Sequence, residues 1–142
     1  MLVIESNDLY FVHREFNMQK KFGMFICEKR LEHNISLRAF SKMVGVSPEY
    51  LSKIENNLRS APRDIILEKI ADKLSLSLGD REILFDLAAE SKASLSLASD
   101  LVRYINENEI VHDTLRLAKR CEITTEEWQE IFDYISEKHL KI

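Results

Sequence analysis

Glycine and proline are scarce in this 142-residue chain, at three and two residues. That leaves little material for a turn-dense all-β architecture, and a hydrophobic share of 45% argues against a disordered chain. Cysteine is nearly as rare. Cys27 and Cys121 lie far apart and outside any ligand-like spacing, so they read as two reduced thiols and not as a disulfide or metal site. His13, His33, His112 and His139 are scattered, with no pair at helical ligand spacing, and no metal is expected. The chain has no Gly-rich phosphate loop, no cofactor box and no locally supported Ser/His/Asp or Cys/His grouping, which excludes catalysis and cofactors as the working expectation. No apolar run approaches the roughly 20 residues that span a bilayer. The opening "MLVIESNDLYFVHREF" breaks its apolar residues with acids where a secretory leader would have a basic head. The expectation is a soluble cytoplasmic protein with no membrane partner.

Charge is plentiful, and its placement is informative. The net charge of −4 is uneven along the chain. Residues 22–70 carry eight Lys/Arg against six Asp/Glu, whereas residues 71–142 carry nine against fifteen; residues 1–21 are balanced at three against three. Phosphate affinity depends on where cations sit and not on their sum, so an acidic tail does not exclude a nucleic-acid partner.

Hydrophobic periodicity predicts an all-α fold. Residues 1–21 form an arm whose structure stays open: "LVI" and "LYFV" around "ESND" suit a short hairpin, and Leu9, Val12 and Phe16 suit a helical stripe. The arm either packs on the domain or supplies a dimerisation strand. From Phe22 the period is helical, with Phe22, Phe25 and Ile26 on one side, and it stops near Asn34. Ser36 caps a second helix whose Leu37, Phe40 and Met43/Val44 form an inward stripe ending at Gly45. Ser47 caps a third, with Pro48 at its first position and Leu51 and Ile54 on its buried side. After a turn at Pro62 a fourth helix uses Ile66, Leu67, Ile70 and Leu74, and a fifth restarts after Gly79 with Ile83, Leu84 and Leu87. The tail continues with Leu101, Val102 and Ile105, then Leu115 and Ala118. It ends with Trp128, Ile131, Phe132 and Ile135 behind a Thr124–Glu127 capping-box spacing. The expected domains are an arm (1–21), a five-helix domain (22–90) and an acidic helical region (91–142).

Two short helices joined by a glycine turn, the second with polar residues outside, suit a groove of roughly 12 Å in duplex DNA. The segment "SLRAFSKMVGVSPEYLSKIENNLRSAP" closely resembles the helix-turn-helix of the Xre family of regulators, which includes the lambda-type phage repressors. The elements that carry it are Ser36-Leu37, the Val44-Gly45-Val46-Ser47 turn, "YLSKIE" from Tyr50 to Glu55, and Pro62 followed by "LEKIADKLSLS"; the resemblance covers about residues 22–87. It implies a lambda-repressor-like fold and puts Ser47, Glu49, Tyr50 and Lys53 on the groove-facing side of helix three. Lys53 suits guanine O6 or N7, Glu49 suits cytosine N4, and Tyr50 suits a thymine methyl. Arg38, Asn56, Arg59, Ser60 and Arg63 match positions that meet phosphates in the family, contacts that set register without reading sequence. Glu55 matches an acid that more often joins an internal ion pair.

Three departures stand out. Asn57 replaces the usual glycine, although asparagine also tolerates the left-handed conformation. Leu37 replaces a polar reader found in many phage repressors. Ser41 replaces a small alanine, and its hydroxyl needs an internal partner. The tail resembles one found in a bacterial branch of the same family. Two functions are therefore expected. The first is a homodimeric repressor on a palindromic operator, with Trp128, Ile131, Phe132 and Ile135 as the seam, unless that stripe is the tail's own core. The second is an antitoxin or partner-binding module whose acidic tail meets a basic protein and whose DNA binding autoregulates its operon. A ligand-sensing tail is a minor third.

Overall fold

A glycine-poor chain must find other residues for the left-handed turns that stop one helix and release the next. The computed structural model describes residues 20–92 and 96–140, and the arm's hairpin and helical-stripe readings lie outside the described residues. Those residues form helices only: α1 (Phe22–Glu32), α2 (Leu37–Val44), α3 (Pro48–Glu55), α4 (Asp64–Lys73), α5 (Leu78–Glu90), α6 (Ser99–Glu107), α7 (Glu109–Arg120) and α8 (Thr125–His139). Gly45 closes α2 at φ 77°, but Asn34, Asn57, Ser75 and Glu122 take the same left-handed region after α1, α3, α4 and α7. At each of these four the next residue's N–H reaches back to a carbonyl of the last turn, as Leu58 N does to Lys53 O at 2.8 Å and Ile123 N to Ala118 O at 3.1 Å. These bonds satisfy carbonyls that a helix end would otherwise leave open.

The starts are equally local. Ser36, Ser47 and Ser77 accept from the backbone N–H of Ala39, Tyr50 and Asp80, and Pro48 occupies the first position of α3. Thr124 and Glu127 form the expected reciprocal capping box of α8. Helix α5 begins at Leu78 behind the Ser77 cap, so Gly79 sits inside its first turn and does not precede it as its sequence position suggested. A serine oxygen that accepts an N–H outweighs the helix cost of one glycine, roughly 1 kcal/mol.

Helices α1 to α5 close around one core. Phe25, Phe40 and Phe85 are fully buried together with Ile26, Leu51, Ile54, Leu67, Ile70 and Leu84. Met43, expected to share the inward stripe of α2, is 40% exposed because Val44, one position on, fills that side completely. Ser41 is buried and donates its hydroxyl to the Arg38 carbonyl at 2.8 Å, the internal partner its position demanded. Ala98, just before α6, also joins this core.

Two contacts fix α3 against α1. Gly23 lies so close to the end of α3 that a Cβ would collide with the main-chain carbonyls of Ile54 and Glu55. Two turns further along, Arg30 donates from Nε to Glu55 Oε1 at 2.7 Å and from Nη2 to Oε2 at 2.9 Å, while Nη1 donates to the Ile35 carbonyl at 2.7 Å. The two side chains are only 9% and 6% exposed, so Glu55 is the internal brace expected from its position. Burial and, after it, the Glu55 carboxylate push the neighbouring Cys27 thiol up from its ordinary range.

Removing the carboxylate would strand a buried guanidinium. Glu55→Ala is expected to lower the unfolding free energy by about 3–5 kcal/mol. Urea denaturation followed by circular dichroism measures it, and an unchanged midpoint would show that the pair does not brace the domain.

Candidate nucleic-acid interface

Helix α3 buries Leu51 and Ile54 on one side, which turns Glu49, Tyr50 and Lys53 toward the other. Glu49 and Lys53 are exposed one turn apart, and Tyr50 is half-buried with its inner side packed on the core. Ser47 is exposed at the N-cap, where its oxygen already accepts from Tyr50 N at 3.1 Å; its hydroxyl proton remains to donate outward. Ser47, Glu49 and Tyr50 lie at the leading end of the helix, the part that enters a groove first when a helix docks end-on, and Lys53 follows one turn on.

Some cations of the domain are already engaged. Lys29 pairs with Asp80 at 2.9 Å, Arg81 bridges Glu68 and Asp72, and Arg103 reaches Glu68 at 3.3 Å. Arg38, Lys53, Arg59 and Arg63 take part in no ion pair among the described residues, and all four are exposed. Cations spent on internal carboxylates have little left for a phosphate, whereas these four can each release a counterion on binding. Arg38 stands in the first turn of α2 and Arg63 at the N-cap of α4.

Of the expected phosphate residues, Asn56 is the least free. Its Nδ2 donates to the Ser52 carbonyl at 2.8 Å, so its oxygen is the atom left for other partners. Asn57 has a role that its spacing did not reveal. At φ 56° its side chain turns back and its Oδ1 accepts from Gly23 N at 2.9 Å, tying the loop after α3 to the start of α1. Lys21 was also missed. It stands with Arg59 and Ser60 in one cleft between the start of α1 and the end of α5. The Lys20-Lys21 pair at the end of the arm was the available signal, although Lys20 is engaged with Glu28.

Tyr50 and Arg59, nine positions apart, meet. The guanidinium carbon lies 5.2 Å from the ring centroid, within range of a cation–π contact.

The tail presents a different kind of surface. Trp128, Ile131, Phe132 and Ile135 are 37%, 38%, 41% and 52% exposed, and Ser136 is the buried residue of α8. Each of the four is thus partly covered and partly open. Leu115 and Leu117 of α7 are 39% and 55% exposed as well.

A family model described as helix-turn-helix matches residues 28–80, which span α2, α3, α4 and the turns between them. That segment has the helix-turn-helix arrangement, α2 and α3 joined by the turn at Gly45. Among curated proteins none matches. A chain of a solved structure titled "SinR protein/SinI protein complex" is similar at 22% identity and a TM-score of 0.40, over 84% of this chain and 99% of that one. Among the described residues no group of three or more His, Cys, Asp or Glu could hold a metal, and no helix is long and apolar enough to cross a membrane.

The two sets of polar residues should separate in mutagenesis. Lys53→Ala or Glu49→Ala is expected to relax base preference at one position of a randomised-site selection; unaltered preference would remove them as readers. Arg38→Ala is expected to weaken binding to every duplex and to reduce the slope of log K against log salt by about one. An unaltered slope would remove Arg38 from the phosphate set.

Proposed function

We propose that this protein is a homodimeric transcriptional repressor in which α3 of each protomer enters the major groove at one half of a palindromic operator. Ser47, Glu49, Tyr50 and Lys53 read bases, while Arg38, Asn56, Arg59, Ser60 and Arg63 hold phosphates. The observation that carries this reading is local: Arg38, Lys53, Arg59 and Arg63, around the groove-facing side chains of α3, are exposed and in no ion pair among the described residues. One domain with a single short recognition helix makes few base contacts, so specificity calls for two copies about 34 Å apart along the duplex. The acidic helical region then supplies the seam. Four large apolar residues at 37–52% exposure on α8 are what a helix offers to a second copy.

The acidic tail also supports the partner-binding reading, in which the same face meets a basic protein and DNA binding only autoregulates an operon. One experiment separates the two. Fluorescence anisotropy against the upstream promoter duplex and a scrambled duplex, at two salt concentrations, is expected to give promoter-preferring, salt-sensitive binding. Sedimentation equilibrium is expected to give a dimer for the full chain and a monomer for Trp128→Glu/Ile135→Glu, whose operator affinity falls by more than about tenfold. Equal affinity for both duplexes overturns the repressor. A monomeric wild type that recovers a dimer-sized mass only with a co-purified basic protein replaces it with the partner-binding module.

A further inference from the structure

The contact between Tyr50 and Arg59 joins two residues to which separate tasks fall, one facing a base and the other a phosphate. Its construction is specific. The chain leaves α3 through Asn56, turns at Asn57 in the left-handed region, and is held there by Leu58 N on Lys53 O at 2.8 Å and by Gly23 N on Asn57 Oδ1 at 2.9 Å. The very next residue is Arg59, whose guanidinium comes back over the Tyr50 ring at 5.2 Å. The inner side of that ring packs on the core. Tyr50 thus touches the core and has a cation over its ring.

A stacked guanidinium spends none of its five N–H groups on the ring, since they point outward in its plane. Arg59 is exposed and in no ion pair among the described residues. Its edge is therefore open to a phosphate while its face restrains the aromatic. Lysine at this place would keep the charge, but its compact ammonium has no plane to lay on the ring.

We propose that Arg59 is a specificity-determining residue that acts through Tyr50: anchored on a phosphate by its edge, it holds the Tyr50 ring in the one orientation that packs on a thymine methyl. The inference rests on the assignment of Tyr50 as a base reader, and it changes the meaning of Arg59 from a register contact to a positioning residue. The phosphate grip and the reading of one base pair are then coupled in a single clamp.

The test uses the full-length protein and the best duplex recovered from a randomised-site selection, with each thymine replaced in turn by uracil, which lacks only the methyl. Wild type is expected to lose affinity about two- to fivefold at one position. Tyr50→Gln should abolish that discrimination at the same position. Arg59→Lys, an exposed and charge-preserving change, should keep the salt slope and lose most of the discrimination there. Full discrimination in Arg59→Lys would overturn the clamp while leaving Tyr50 as a reader. If no thymine position discriminates in wild type, or Tyr50→Gln discriminates as well as wild type, the Tyr50 assignment falls and the clamp falls with it.

Discussion

The geometry of the domain depends on a guanidinium taken out of water. Arg30 is buried, and a buried cation is tolerable only when its donors are met; here Glu55 takes two of them in a fork and the Ile35 carbonyl takes a third. Those partners lie on α3 and in the turn after α1. The single side chain therefore ties α3 and the entry to α2 to the same support. An apolar contact of similar area would tolerate sliding, but a forked ion pair accepts one register. Gly23 permits the close approach that the fork requires, and Asn57 seals the other end. The outer side of α3 is presented on that base.

On that base the distribution of charge becomes meaningful. Carboxylates on α4 neutralise Arg81 and Arg103, and Asp80 neutralises Lys29. These pairs are partly exposed and contribute little to stability, as surface pairs generally do. Their larger effect is local: they neutralise Lys29, Arg81 and Arg103 in place. Arg38, Lys53, Arg59 and Arg63, around α2, α3 and the loop after α3, stay exposed and in no ion pair among the described residues. A chain that is acidic as a whole can thus carry a local basic face.

The tail follows a different logic. Its helices form by rules that need only near neighbours, including a capping box at Thr124 and Glu127 and a left-handed turn at Glu122. Burial does not follow. Ala118 and Ser136 are the buried residues of α7 and α8, while Trp128, Ile131, Phe132 and Ile135 stay open to solvent. A partly exposed apolar face on a formed helix gains from association, because the area is already ordered and loses little further entropy on docking.

What could be read directly from the residues was whatever depends on a few consecutive positions. The serine caps at Ser36 and Ser47, Pro48 at a helix start, the Gly45 and Asn57 turns, and the inward residues Phe25, Phe40, Leu51 and Ile54 were all legible, because hydrogen bonds across three to five residues and a 3.6-residue period are local properties. Resemblance to the Xre regulators added the internal role of Glu55, but not its partner Arg30, which lies twenty-five positions away. Only the tertiary structure decided that Met43 faces out beside a buried Val44, that Gly79 lies inside α5, that Arg59 returns over Tyr50, and that the Trp128 stripe stays partly exposed. Each of those outcomes is set by which surfaces meet across the fold, and a contact between distant residues leaves no periodic trace along the sequence.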